Sequence, residues 1–293
     1  TSGKSPTDQT TGSLIASPSP MNDQLDKLAI HTITTKPWST EECIAKYAAA
    51  GVSAISFWRY NFEGRNPATV GRQARDAGLD VASLARGGFF PAGSPLKRQA
   101  AIEENLRAID EAAALGAPSL VLVCGAYAGQ SLDDSRLQIQ DGITACIDHA
   151  QQAGVVLAVE PLHPMYAESR SAINSMSQAN QLCESLGNHP SIGIACDVYH
   201  TWWDPCLESE ITRAATSGNL TAYHICDWIT PTSDLLNDRA LMGEGCIELE
   251  KLSSVINKAG FKGYHEVEIF SNRWWVSDQD DYLSAIIQSF RKI

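Results

Sequence analysis

One unit recurs along this sequence: a short apolar run, a polar loop and then a helical stretch with one apolar face. From Leu25 onward the unit occurs eight times. The apolar runs are residues 28–33, 52–57, 79–84, 119–124, 155–160, 192–197, 220–226 and 264–269. The helical stretches are residues 40–50, 67–77, 95–115, 133–153, 175–186, 205–216, 249–259 and 278–290. Eight strand–helix units are the number that closes a (β/α)8 barrel, so the sequence predicts an α/β fold of this kind.

The junctions between these units and the first loop support one barrel rather than an open sheet. An Ala-Gly pair directly precedes an apolar run at Gly51, Gly78, Gly154 and Gly260, where a glycine is expected to end a helix. An open doubly wound sheet usually needs fewer strands, and no G-x-G-x-x-G follows the first run. We therefore assign residues 25–293 to a single catalytic barrel domain and residues 1–24, rich in Ser, Thr, Pro and Gly, to a flexible N-terminal arm.

Charge and cysteine usage narrow the class of partner. The formal net charge is −12 and no basic tract offsets it, which argues against nucleic acid or a membrane surface as partner. No apolar run approaches the eighteen residues that a membrane span requires. The eight cysteines lie singly, without a C-x-x-C pair, and several fall in apolar runs. This pattern predicts a reduced, cytoplasmic protein without disulfides.

Four neighbouring strands are predicted to end in residues that bind metal ions. These residues are Glu160, Asp197, His224 and Glu268. Catalytic groups of a barrel project from the carboxyl ends of its strands, and three carboxylates placed together would repel one another without a cation between them. Carboxylate oxygens with one imidazole suit a divalent ion, with Zn²⁺ favoured and Mn²⁺, Co²⁺ or Mg²⁺ as alternatives. Glu266 shares the parity of Glu268 along its strand, but Glu268 lies nearer the carboxyl end.

Other polar side chains follow the same strand ends. Candidates for proton transfer are the metal-site residues Glu160 and Glu268 together with His31, His163, His200 and Asp227. Each histidine could instead be a core residue with satisfied hydrogen bonds. Trp202 is expected to wall the pocket and contact the substrate, or else to bury a contact in a homodimer.

Four arginines are predicted to face the mouth of the barrel: Arg59, Arg86, Arg239 and Arg273. A guanidinium group matches carboxylate and phosphate groups in two-pronged geometry. Four of them near one rim of an acidic chain favour a small anionic substrate, although each alone could be a salt-bridge partner on a loop.

The residues at these strand ends resemble the xylose-isomerase-like barrels, which include sugar 3-epimerases, inosose dehydratase and endonuclease IV. The resemblance is carried by Val-Glu160-Pro, Cys-Asp197-Val-Tyr-His200, His224-Ile-Cys-Asp227, Gly-Glu-Gly at 243–245 and Val-Glu268-Ile-Phe. It implies that the metal ligands are Glu160, Asp197, His224 and Glu268. It also implies that Glu160 and Glu268 move the proton in an epimerase, with His200 and Arg239 beside the substrate.

Two reactions fit these residues. In size, leader and sequence character the chain is similar to the zinc-dependent cis-epoxysuccinate hydrolases, and this similarity together with the arginines predicts a metal-dependent hydrolase that opens the epoxide to tartrate. In that reaction the metal acts as Lewis acid on the epoxide oxygen and a base activates water. The alternative is a sugar or sugar-phosphate isomerase or 3-epimerase, or a keto-sugar dehydratase or lyase, that uses Glu160 and Glu268 as paired bases.

Overall fold

The computed structural model describes residues 1–3 and 25–293, and within them eight parallel strands close into a barrel. The strands are β1 Leu28–His31, β2 Ala54–Trp58, β3 Asp80–Gly88, β4 Ser119–Val123, β5 Val156–Val159, β6 Ile192–Asp197, β7 Leu220–Ile225 and β8 His265–Val267. Each strand pairs with the next, and β8 pairs with β1 to complete the ring. The predicted single barrel is therefore confirmed. The predicted N-terminal arm, residues 1–24, lies outside the described residues except for residues 1–3.

Eight long helices alternate with the strands and cover the outside of the barrel. They are α1 Thr40–Ala49, α2 Pro67–Asp76, α3 Pro95–Leu115, α4 Leu132–Ala153, α5 Met176–Ser185, α6 Leu207–Thr216, α7 Leu249–Lys258 and α8 Gln279–Phe290. A short helix, Val198–Thr201, follows β6, and a two-stranded ribbon of Asp227–Trp228 and Arg239–Ala240 follows β7. No helix of the described residues is long and apolar enough to cross a membrane.

Local sequence signals fix the ends of these helices. Ser39 caps α1 in a capping box, in which its hydroxyl accepts the amide of Glu42 while the Glu42 carboxylate accepts the amide of Ser39. Ser94 and Ser131 accept backbone amides at the starts of α3 and α4. The same two helices end in the left-handed region at Gly116 and Gly154, with φ of 85° and 69°. These caps explain why the predicted and observed helix ends differ by no more than two residues.

The described cysteines and apolar side chains pack as the sequence suggests. All eight cysteines are free thiols, six of them buried. Most buried apolar residues lie in one core between the strands and the helices. A separate inner cluster of small side chains fills the barrel axis: Ala85, Val121, Ala158, Ala195 and Ala222. Small residues on the axis leave room above them for the polar groups at the carboxyl ends of the strands.

Strand β3 departs most from the sequence prediction, since it runs to Gly88 rather than ending at residue 84. Its pairing with β4 skips one residue: Ala85 lies opposite Val121, and Gly87 lies opposite Leu122. Arg86 is therefore the extra residue of a β-bulge, inside the strand rather than beyond it. Bulges redirect side chains and are common beside active sites.

Candidate metal centre

The four predicted ligands meet at the carboxyl end of the barrel. Glu160 directly follows β5, Asp197 ends β6, His224 lies in β7 and Glu268 directly follows β8. All four side chains are buried, and one donor atom of each lies within 4.8 Å of the donor atoms of the others. The Asp197 carboxylate is fixed by its Oδ1, which accepts the Tyr199 amide at 2.7 Å and caps the short helix after β6. Parallel strands thus gather groups that lie far apart in sequence.

The acidic groups of this site repel one another electrostatically. Burial, followed by the negative charges of Glu160 and Glu268, raises the pKa of Asp197 to about 6, although Arg239 opposes the shift. Burial alone would lower the pKa of His224, but its hydrogen bond to Glu160 and the nearby carboxylates raise that pKa to about 10. The raised pKa of Asp197 and the raised pKa of His224 both indicate that the site favours additional positive charge.

Arg239 supplies part of that charge. Its Nη1 lies 3.0 Å from Asp197 Oδ2 and 3.0 Å from Glu268 Oε2. The guanidinium also stacks against Tyr199 and Phe270, 4.3 and 4.8 Å from their ring centres. Arg239, predicted to bind substrate, lines the pocket but is bonded to two of the candidate ligands. It therefore holds their carboxylates in place.

The donor set fits a divalent metal ion. Three carboxylates and one imidazole, all buried, converge from four strands, and the Nδ1 atom of His224 lies 3.1 Å from Glu160 Oε1. The Nε2 atom of the same ring is buried without a hydrogen-bond partner among the described residues and lies 3.8 Å from Glu266 Oε2. Oxygen donors with one imidazole suit zinc, manganese or cobalt, and nothing in the set selects one of them.

Hydrogen bonds deeper in the barrel than the four candidate ligands distinguish the position of Glu266 from that of Glu268. Glu266 Oε2 accepts the hydroxyl groups of Ser56 and Ser83, each at 2.6 Å, inside the barrel. His31 Nε2 lies 3.1 Å from the same oxygen, and its Nδ1 lies 3.3 Å from Glu268 Oε1. Glu266 therefore lies deeper than the donor group, which contains Glu268. His31, predicted to be catalytic, contacts both glutamates and orients them.

Of the histidines predicted to transfer protons, His200 lines the pocket over the donor group and His163 does not. His200 is buried in the pocket wall, and its Nε2 lies 3.3 Å from Arg239 Nη2 and 3.7 Å from Asp197 Oδ2. His163 instead stacks on Trp228, with 5.3 Å between ring centres, and its Nδ1 accepts the amide of Met165. It is not among the residues that line the pocket over the donor group. His200 therefore lies beside the donor group, whereas His163 lies outside the pocket over it.

Asp227, predicted as a catalytic candidate, is bonded to the loop that follows β7. Its buried carboxylate accepts the backbone amides of Trp228, Gly243, Gly245 and Ile247 at 2.8 to 3.0 Å. Gly245 must be glycine here, because an added Cβ would lie 2.4 Å from Asp227 Oδ1. With both oxygens occupied by amide donors, Asp227 fixes the loop after β7.

Asp227→Ala is expected to lower the free energy of unfolding by about 3 kcal/mol or more, because it leaves buried amides without an acceptor. Urea unfolding would measure the change. Asp204→Asn is a matched control, since Asp204 accepts a single backbone amide at an exposed turn. Should Asp227→Ala keep its stability and metal content while turnover disappears, Asp227 takes part in the chemistry after all.

Two of the four predicted substrate arginines are committed elsewhere. Arg59 pairs with Glu111 at 2.6 Å and with Glu104 at 2.8 Å, both on α3. Arg273 is exposed and stacks over Trp274. The sequence does not show where these long side chains turn, because their ion-pair partners lie far away along the chain. Trp202 does not line the pocket over the donor group. Its ring packs on Trp228 and lines a separate groove, whose other lining residues include Trp203, Glu208 and Lys251.

Sequence reasoning missed several side chains that line the narrow pocket over the donor group. They include Trp58, Tyr166, Arg170 and Phe270. Trp58 is the last residue of β2, so its position at a strand end is the sequence signal that could have identified it. Arg170 and Tyr166 lie several residues beyond β5, in a loop whose path only the fold reveals.

The barrel and its four-residue donor group define a xylose isomerase-like TIM barrel. The model of that family matches residues 44–293, and the chain belongs to the family. The resemblance seen in the sequence is thereby confirmed.

Known proteins similar to the chain agree on the fold. A crystal structure of protein SMc04130 from Sinorhizobium meliloti 1021 is 42% identical, covers 92% of this chain and 98% of its own, and has a TM-score of 0.88. The zinc-containing IOLI protein is 19% identical over 90% of this chain and 96% of its own, with a TM-score of 0.77. The L-ribulose-5-phosphate 3-epimerase UlaE of Salmonella paratyphi A is 27% identical over 151 residues, which are 50% of this chain and 47% of the epimerase. The chain spans about half the length of the curated relatives it matches.

Proposed function

We propose that the chain is a metal-dependent isomerase or epimerase of a small keto sugar or sugar phosphate. The observation that carries this proposal is the presence of two buried glutamates, Glu160 and Glu268, in one donor group. The similarity to a sugar-phosphate 3-epimerase supports the same class of reaction. This ranks the isomerase above the epoxide hydrolase, the reaction that the sequence favoured, because the curated relative named above is a sugar-phosphate 3-epimerase.

The two glutamates are suited to paired proton transfer. They follow β5 and β8, which lie three strands apart around the ring, so that a substrate between them has a carboxylate on either side. One glutamate would remove the proton from the carbon next to the carbonyl, and the other would return a proton to the opposite face. Although burial raises the pKa of Glu268, the charges of His31, Arg239 and His224 lower it overall, so this carboxylate is ionised and able to accept a proton.

The remaining groups hold the substrate and keep water out. Glu160, Asp197, His224 and Glu268 would hold a divalent cation, which supplies Lewis-acid chemistry to a carbonyl oxygen. His200 and Arg239 place polar hydrogen-bonding groups in the pocket wall, and the rings of Trp58 and Phe270 pack edge to face across the same pocket. Such fixed groups in a largely dry site stabilise the negative charge that develops on a substrate oxygen.

A second candidate function is hydrolysis of a small dicarboxylate epoxide, and the observation in its favour is His200. Burial, followed by the charge of Arg239, lowers the pKa of His200, so the imidazole is neutral near pH 7. Its Nδ1 atom has no hydrogen-bond partner among the described residues. Because Arg239 Nη2 can only donate, His200 Nε2 accepts from it and the neutral ring carries its proton on Nδ1. That N–H could donate a hydrogen bond to the epoxide oxygen while a carboxylate such as Glu160 takes the proton of a water whose oxygen attacks an epoxide carbon. The broken C–O bond would then leave an oxygen that gains a proton and becomes the second hydroxyl group.

Isotope labelling separates the two reactions. Metal-reconstituted protein would be incubated with L-ribulose 5-phosphate, with ketohexoses and with cis-epoxysuccinate, in ²H₂O and separately in H₂¹⁸O. We expect deuterium at the carbon next to the ketose carbonyl, with no labelled tartrate. Incorporation of ¹⁸O into tartrate without carbon exchange would instead establish the hydrolase. The chelated protein is the control. If neither ²H nor ¹⁸O enters any of the substrates, both proposals are contradicted.

A further inference from the structure

A second cavity adjoins the metal centre on the side of β2, β3 and α3. Its volume is about 540 Å³, and Trp58 lines both this cavity and the narrow pocket over the donor group. Other residues around the cavity include Lys36, Arg86, Phe89 and Asn105. The two spaces therefore adjoin at Trp58, with the donor group at the end of the narrower one. A substrate longer than its reacting carbons would extend past Trp58 into the larger space, the outer cavity.

The β-bulge of β3 directs Arg86 to this cavity. Arg86 is the residue that the pairing with β4 skips, and the chain after it is held by Asn105. Asn105 Oδ1 accepts the Gly88 amide at 2.7 Å, and its Nδ2 donates to the Gly88 carbonyl at 2.8 Å. Gly87 cannot carry a side chain, because an added Cβ would lie 2.6 Å from Asn105 Oδ1. A buried amide and two glycines therefore maintain the backbone shape that aims one arginine.

Arg86 has no carboxylate partner among the described residues. Its guanidinium lies 4.5 Å from the ring centre of Phe89 and 5.9 Å from that of Trp58. Arg59, on the same cavity, differs because two glutamates of α3 neutralise it. Burial, followed by the positive charge of Arg170, lowers the pKa of Arg86. A cation kept partly buried without a counter-ion is a site that an anion would stabilise.

Arg170 is the second such cation. It lines the pocket over the donor group and stacks on Tyr166, with 5.5 Å between the guanidinium carbon and the ring centre. No hydrogen bond or ion pair of its side chain occurs within residues 25–293 of the structure. Arg86 lines the outer cavity and Arg170 lines the pocket over the donor group, and the two spaces share Trp58. An oxyanion where these spaces join would lie between the two guanidinium groups.

We propose that Arg86 and Arg170 together bind a terminal oxyanion, either phosphate or carboxylate, of a substrate whose reacting carbon lies at the metal centre. This inference deepens the proposed function and rests on it for the position of the reacting end. Two guanidinium groups offer several N–H donors to one group of oxygens, the arrangement that gives charge-assisted, geometrically specific anion binding. Of the two candidate sources, a sugar phosphate would bring a tetrahedral group and a sugar acid or dicarboxylate a planar one.

Anion binding without turnover tests the inference. Isothermal titration of metal-loaded and of chelated protein with inorganic phosphate, and separately with succinate, would give one dissociation constant for each anion. We expect one of the two to bind at a single site, and to bind whether or not the metal is present. Arg86→Gln and Arg170→Gln should each weaken that binding at least about tenfold, and the double variant should abolish it. Preference for phosphate identifies a phosphorylated substrate, and preference for succinate a carboxylated one.

Arg273→Gln is the matched control, because Arg273 is an exposed arginine that lies 3.5 Å from Glu244. Its anion affinity should stay within about twofold of the unchanged protein. Metal content and thermal unfolding would verify that each variant is folded. Binding of neither anion, or unchanged binding by the double variant, would overturn the arginine site. If instead binding is lost in the double variant but no isotope exchange is found, the arginine site stands and the proposed function falls.

Discussion

Asp197→Asn is expected to give a folded protein that no longer retains a divalent metal ion and loses at least about 10³-fold in turnover. Asparagine can still cap the short helix after β6 through its side-chain oxygen, which now accepts the Tyr199 amide at 2.7 Å. The substitution removes one negative charge from a group of three carboxylates and one imidazole. Because altering the partner of a ligand alone costs roughly 10- to 100-fold in metal affinity, loss of a ligand charge should cost more. Metal analysis after dialysis and a turnover assay would measure both effects.

Asp278→Asn is the control for this prediction, since Asp278 caps α8 in the same way and lies outside the donor group. It should retain both metal and activity. The unchanged protein, dialysed against a chelator, should lose activity and regain it with Zn²⁺, Mn²⁺ or Co²⁺. Full turnover by the chelated protein would show that the gathered carboxylates serve some purpose other than metal binding.

Glu160→Gln and Glu268→Gln are each expected to abolish exchange of the substrate's carbon-bound proton, with turnover reduced about 10³-fold. A glutamine oxygen can still approach a metal ion, but an amide cannot take up a proton near neutral pH. Because each substitution also removes a ligand charge, metal content is expected to fall as well, and exchange measured per bound metal ion separates proton transfer from metal binding. Deuterium incorporation measured by NMR, together with metal content, provides both measurements.

Glu266→Gln is the matched comparison on the same strand. Glu266 is buried like Glu268 and contacts His31 and His224, but it lies outside the donor group. We expect a smaller loss, about 10- to 100-fold, because this substitution disturbs only the groups that orient the ligands. If Glu266→Gln abolishes exchange and Glu268→Gln does not, the assignment of the base on β8 must move by two residues.

The sequence predicted the fold well and named the residues of the candidate metal centre, because strand ends are recognisable from short-range signals. Apolar runs between capped helices define each strand, and the carboxyl ends of parallel strands meet at one rim whatever the loops do. The positions of the strand ends are therefore enough to place Glu160, Asp197, His224 and Glu268 together. Glu266 and Glu268 lie on the same face of β8. The sequence favours Glu268 because it lies nearer the carboxyl end of the strand, and Glu268 is the one that lies in the donor group.

The sequence predicted the substrate pocket less well because long side chains and loops obey tertiary contacts. Arg59 turns outward because α3 presents two glutamates to it, and no local pattern announces that pairing. Arg86 was read as a loop residue because a bulge lengthens β3 beyond its apolar run. Asp227 looked like a strand-end acid, but amides from a loop sixteen to twenty residues further on occupy it. Each error concerns a partner distant in sequence.

The donor group and the outer cavity are built from different arcs of the ring. All four candidate ligands come from β5 to β8, whereas β2, β3 and α3 provide much of the cavity wall that contains Trp58 and Arg86. Mutations on the second arc could therefore alter the length or charge of an accepted molecule without touching the reactive apparatus. Such separation gives evolution, or a protein engineer, an inexpensive route to new selectivity: exchange residues around the β3 bulge and leave the opposite arc intact.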